Sequence, residues 1–169
     1  MQDEMKGVMV SLLAVLVVAG ATCPGKDESR LESFSMRDQH GKTHRQVFPA
    51  RKVLVLTVAD KKGSEQLERW IRKVKGRYGK RVDLAGVADV TKVPKALRKF
   101  VTGEFRKQVT HAVMLDFDGR VVRRLSPAKG KANLFVVGKD GGVACHVAGE
   151  WSPAAEAALF AGIERAMSR

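Results

Sequence analysis

Lys52-Val-Leu-Val-Leu-Thr-Val-Ala-Asp-Lys-Lys-Gly-Ser-Glu-Gln-Leu-Glu-Arg-Trp-Ile-Arg-Lys-Val74 decides how this chain folds. The run Val53 to Val58 is apolar, rich in β-branched residues and too short for a lone helix, so it reads as a strand buried on both faces. A helix follows at once. Ser64 suits an N-cap, Glu65 falls in the first turn where the helix dipole favours an acid, and Leu67, Trp70, Ile71 and Val74 recur on one face. The loop Ala59 to Gly63 therefore lies where a parallel sheet meets a helix N-terminus, the usual place for a site in such folds. It holds no cysteine.

Upstream, residues 31–37 read as a short strand, Asp38-Gln39-His40-Gly41-Lys42 as a tight turn, and residues 43–47 as the return strand. Downstream, residues 82–88 form the next apolar strand. Pro94 opens a helix carrying Leu97, Phe100 and Val101, and the basic stretch 103–110 is left unassigned. Residues 112–117 and 120–125 flank Asp118-Gly119, which predicts a hairpin, and residues 134–137 and 143–147 around Lys139 to Gly142 predict a second. Ser152 as N-cap and Pro153 at the first helical position start a last helix reaching about Met167. Strands interleaved with helices predict a mixed α/β sheet covered on its faces.

The chain of 169 residues has one domain's worth of length and a formal charge of +13. A balance this basic predicts an anionic partner, whether nucleic acid, a membrane surface or an acidic polymer. The leader narrows the choice. Gly7 to Ala21 is almost wholly apolar, has the length of a signal-peptide core and ends in Ala19-Gly20-Ala21, a small-x-small cleavage pattern. Met5-Lys6 just before it makes a better basic start than Met1, because Asp3 and Glu4 are acidic. The expected organisation is a signal peptide over residues 1–21 cleaved after Ala21, a linker over 22–30 and one domain over 31–169, in a periplasmic or secreted protein. An uncleaved anchor and lipidation at Cys23 are the competing readings. Nucleic acid as partner would require that the chain is not exported, and aromatic residues for base stacking are not interleaved with the bases.

A resemblance arises from several motifs together. The turn Phe34-x-x-x-Asp38-x-x-Gly41-Lys42, the buried strand leading into a helix, the segment Leu134-Phe-Val-Val-Gly-Lys-Asp-Gly141 and a final helix resemble the thioredoxin-like fold in its redoxin form. Val113-Met-Leu-Asp-Phe-Asp-Gly119 and Gly149-Glu-Trp-Ser-Pro153 look more closely like the YtfJ family of small exported bacterial proteins. The resemblance implies a thioredoxin-like mixed sheet with helices on both faces and an exported location. It implies no agreed activity. A redox protein of this fold needs a low-pKa thiolate at the first turn of the helix after the central strand. Aligned through Ala59, those positions are Lys62 and Glu65. Where its cis-proline stands before the strand at Leu134, this chain has Lys131-Ala132-Asn133, and a cis bond without proline costs about 2.5–4 kcal/mol. Disulfide exchange is therefore not expected.

The remaining candidates follow from residue types. Lys61, Lys62, Gly63 and Ser64 at a helix N-terminus offer amides, two ammonium groups and a hydroxyl to an anion; the competing reading is a solvated loop. Cys145, in the predicted strand 143–148, is the single redox candidate, either a lone reactive thiol or a buried inert one. A disulfide to Cys23 is the third state open to it. His40 and His44 flank a turn without a third nearby ligand, and Asp116-x-Asp118-Gly119 has Arg120 where a calcium loop needs an oxygen ligand. No metal or cofactor is expected. The predicted function is that of a non-redox binding or accessory module with an anionic envelope component or protein partner, the alternative being a thiol-dependent protein using Cys145.

Overall fold

The structure, a computed structural model, describes residues 21–22 and 30–169. Cys23 and nearly all of the expected signal peptide and linker lie outside the described residues. A six-stranded mixed sheet runs in the order β1-β8-β7-β4-β5-β6. Its strands are β1 (Ala21–Thr22), β4 (Leu54–Ala59), β5 (Asp83–Asp89), β6 (Met114–Asp116), β7 (Asn133–Val137) and β8 (Val143–Ala148). The hairpin β2 (Phe34–Arg37) and β3 (Thr43–Gln46) stands beside it as a second sheet. β5 runs parallel to β4, and β6 parallel to β5, while β7 is antiparallel to β4 and to β8. Every residue of β4 is buried, as the apolar run requires of a central strand.

Helices cover both faces. On one, α2 (Leu67–Tyr78) and α5 (Pro153–Met167) set Trp70, Val74, Tyr78, Leu159 and Ile163 against Val53, Val55, Leu134 and Val136. Burial of such side chains is worth about 1.5–3 kcal/mol each, which holds the two helices to the sheet. Trp70 Nε1–H is satisfied by Gly149 O at 3.0 Å, so the indole is buried at no polar cost. On the opposite face Leu54, Leu56, Val58 and Phe135 meet Val121 and Leu125, with Phe34 and Met36 of the hairpin packed alongside. Ser152 Oγ accepts from the Ala155 amide at 3.2 Å and Pro153 follows it, so α5 begins where the sequence places it.

Three expectations change. Residues 120–125 form α4 (Arg120–Leu125), not the return strand of a hairpin. The Asp116 carboxylate accepts from the amides of Arg120, Val121 and Val122 at 2.9–3.0 Å, and Gly119 takes the left-handed φ of 70° that swings the chain away from the sheet. Ser64 is not an N-cap: the helical turn α1 (Lys61–Ser64) starts earlier, capped by Asp60, and α2 has Gln66 before it without a side-chain cap. Third, Pro94 does not open the helix directly: a 3-10 turn over residues 95–97 precedes α3 (Arg98–Gln108), which runs on through residues 103–108 and turns inward Val101 and Phe105, which pack with Val93 on Ala88, Val90 and Leu115.

Candidate functional site

β4 and β7 end side by side, with Val58 paired to Asn133, so the α1 turn faces the loop entering β7. Two polar side chains tie these two segments together. Asp60 Oδ1 accepts from the Gly63 amide at 2.8 Å, and its Oδ2 accepts from the Gly130 amide at 2.7 Å across the gap. Gln66 repeats the link, accepting from the Ala132 amide at 3.0 Å and donating to Gly130 O at 3.3 Å. At Gly63 the two backbones touch. A methyl group there would sit 2.2 Å from Lys131 O, a separation no side chain tolerates, so glycine is the residue this contact permits.

Asn133 lies in the stretch 131–133 where the resemblance implies a proline, and opens β7. Its side chain is buried and fully used: Nδ2 donates to Ala128 O and Lys131 O, both at 2.9 Å, while Oδ1 accepts from the Ala128 amide at 2.8 Å. That amide fixes which way the carboxamide points. His146 Nε2, 3.0 Å from Oδ1, must then be the protonated ring nitrogen, donating to it. The imidazole lies flat on Phe135, centroids 4.1 Å apart, and burial pushes its pKa below the ordinary histidine value. For Asp60 burial alone would raise the carboxyl pKa. The amides of Gly63, Gly130 and Lys62 and the charge of Lys92 outweigh it and hold the carboxylate below its usual range.

Of the residues expected to form an anion site, Lys61 and Lys62 are exposed, Gly63 is buried against Lys131, and Ser64 Oγ donates to Lys61 O at 2.7 Å. The Gly63 amide is satisfied from within by Asp60. Lys129 and Lys131 are exposed on the facing loop, so four ammonium groups flank the tied segments. Cys145 is not part of this cluster. It is 0% exposed on the α5 face, where Gly162 leaves just enough room for it: a methyl on Gly162 would meet Cys145 Cβ at 2.5 Å. Its Sγ lies 3.8 Å from Ala158 O. His44 Nε2 lies 2.7 Å from the buried carboxylate of Asp38, and among the described residues no group of three or more His, Cys, Asp or Glu gathers into a metal site.

Sequence reasoning passed over Asp60, Gln66, Asn133 and His146. Asp60 carried a readable signal, an Asx residue between an apolar strand and a helix, but Ser64 competed for the same role. Nothing in the pattern marked the other three: Gln66 and His146 find partners 66 and 13 residues away, and Asn133, although it bonds Ala128 and Lys131 in its own loop, carries no motif that announces it.

Neither a protein-family profile nor a curated protein sequence matches the chain. Solved structures do. A thiol:disulfide interchange protein of the thioredoxin family from Chlorobium tepidum is 16% identical with a TM-score of 0.55, the match covering 83% of this chain and 97% of that one. The pneumococcal exposed lipoprotein thioredoxin from Streptococcus pneumoniae gives a TM-score of 0.61 at 13% identity, covering 79% and 98%. BsSco, a member of the Sco family of cytochrome c oxidase assembly proteins, gives 0.57 at 13% identity, covering 86% and 98%. The chain has the thioredoxin-like fold. At these identities the likeness speaks to fold alone.

Proposed function

We propose that this chain is an exported thioredoxin-fold protein of the YtfJ kind that binds an anionic envelope component or partner and does not exchange disulfides. One observation carries the reading. Where a redox protein of this fold presents a thiolate to the helix amides, this chain presents the Asp60 carboxylate, already bonded to Gly63 and Gly130. A carboxylate can neither attack a disulfide nor be oxidised by peroxide, and the residues at the thiol positions are Lys62 and Glu65. With those amides satisfied, an anion is met by the ammonium groups of Lys61, Lys62, Lys129 and Lys131 as diffuse, salt-sensitive attraction. The small-x-small end of the leader and the YtfJ-like Gly149-Glu150-Trp151-Ser152-Pro153 support the exported location. No helix of the described residues is long and apolar enough to cross a membrane.

Two assays on the purified chain test this. Insulin reduction by dithiothreitol is expected to run at its uncatalysed rate. Dextran sulfate is expected to bind, and Lys61→Glu with Lys62→Glu weakens it about tenfold, more than the charge-matched Lys75→Glu with Lys80→Glu at the far end of α2. Catalysed insulin reduction that Cys145→Ser abolishes would overturn the reading in favour of the thiol alternative.

A further inference from the structure

The end of the segment joining β5 to α3 and the first turn of α3 present apolar side chains to solvent. Leu97 is 51% and Phe100 66% exposed, two of the three large hydrophobic side chains so exposed among the described residues; Val47 is the third. Their exposure is not looseness. Asp89 Oδ1 accepts from the Thr91 hydroxyl at 2.6 Å, the Val93 amide donates to Val90 O at 3.0 Å, and the Leu97 amide donates to Pro94 O at 2.9 Å. Val101 and Phe105 pin the inner side of α3 to the sheet. Leu97 and Phe100, three residues apart, thus form one fixed apolar knob. Beside it Lys95 and Lys99, four apart and both exposed, have no carboxylate within ion-pair distance among the described residues. The nearby acids are engaged elsewhere, Asp118 with Arg98 and Glu104 with Lys107.

We propose that this knob docks the protein on a bilayer surface carrying anionic lipid, with Leu97 and Phe100 entering the headgroup and acyl boundary while Lys95 and Lys99 meet lipid phosphates. The charge pattern selects that occupant. A rigid apolar pair edged by uncompensated lysines is the amphipathic arrangement that partitions into an anionic interface, where apolar burial and electrostatic attraction add. Two protruding side chains can insert into a deformable lipid phase, whereas a protein partner would have to supply a pocket and acids matched to them.

The test places a reporter at the knob. The full chain carrying Phe100→Trp is mixed with vesicles of phosphatidylglycerol and brominated phosphatidylcholine, and its extra tryptophan emission is compared with that of Val47→Trp, exposed on another element. Bromine quenching is expected at residue 100 and not at residue 47. It weakens at high salt, and adding Lys95→Glu with Lys99→Glu lowers the partition coefficient by at least about tenfold. Because the readout sits at one residue, membrane attachment through the leader does not imitate it. Absent quenching, equal quenching at both positions, or equal quenching on vesicles of brominated phosphatidylcholine alone overturns the proposal. Absent quenching together with a discrete complex with a protein leaves that partner as the occupant. Loss of dextran sulfate binding with quenching intact sinks only the reading of the Asp60 end, and the reverse result sinks only this one.

Discussion

Replacing Asn133 by alanine removes the side chain on which the loop entering β7 depends. Four contacts go at once: donations to Ala128 O and Lys131 O at 2.9 Å, acceptance from the Ala128 amide at 2.8 Å, and the His146 contact at 3.0 Å. A net hydrogen bond is worth about 0.5–1.5 kcal/mol, and leaving its partner buried without replacement costs more. Additivity would give about 4 kcal/mol. Water entering from the side of exposed Lys129 and Lys131 recovers part of it, so a loss of about 2–4 kcal/mol is expected. That is a large share of the about 5–15 kcal/mol typical of a folded domain. Urea unfolding followed by circular dichroism reads it as a midpoint lowered by about 1–2 M at unchanged slope. Asn133→Asp sharpens the test, since it keeps the shape but turns an acceptor toward the Ala128 and Lys131 carbonyls. At neutral pH it should cost more than alanine. A loss below about 0.5 kcal/mol for Asn133→Ala, or Asn133→Asp milder than alanine, would refute the view that this carboxamide holds the loop.

Three further outcomes follow from groups that the fold partly or wholly buries. His146 has its pKa lowered from 6.5 by burial, so between the lowered value and 6.5 the unfolded chain binds the proton and the folded one does not. Stability therefore falls as the pH drops below about 6.5, and His146→Asn flattens that slope in urea titrations across the range. Asp60, with its pKa lowered, contributes stability that persists above the usual carboxylate range and is lost in stronger acid. At Cys145 an alkylating reagent is expected to label the native protein only as fast as it unfolds. Gly162→Ala, forced against Cys145 Cβ, should cost about 1–3 kcal/mol and raise the labelling rate in step. Labelling of the native parent at the rate of a small-molecule thiol would contradict its burial.

The elements legible in the sequence were those whose signals are local. Val53 to Val58 could only be a buried strand, and Ser152-Pro153 carries its helix start in two adjacent residues. Arg120 to Leu125 was misread because Asp118-Gly119 serves a hairpin and a helix entry alike. The deciding fact, an Asp116 carboxylate turned onto three amides, is geometry rather than pattern. The apolar residues Leu97, Phe100 and Val101 were legible, but their spacing does not say which of them faces the sheet: Val101 and Phe105 pack on it, while Leu97 and Phe100 stand in solvent. The turn Lys61 to Ser64 was legible beside a strand end, but the ties around it were not, since Asp60 and Gln66 act on Gly130 and Ala132, backbone that only the tertiary fold brings near.

These ties bear on why cysteine and proline are replaced together. Disulfide exchange requires that a substrate sulfur reach the helix N-terminus, which demands a gap between that helix and the loop entering β7. Here Gly63 packs directly on Lys131 O, Asp60 and Gln66 bridge to Gly130 and Ala132, and Asn133 anchors the loop from below. The amides that would stabilise a thiolate already serve a carboxylate, and the gap that would admit a substrate is closed by backbone contact. Cysteines at Lys62 and Glu65 alone would therefore meet neither the electrostatics nor the access that the chemistry needs. What remains open to a ligand at this end is its rim, where the lysines stand in solvent, and that is why the proposed role is binding through charge rather than reaction at the helix terminus.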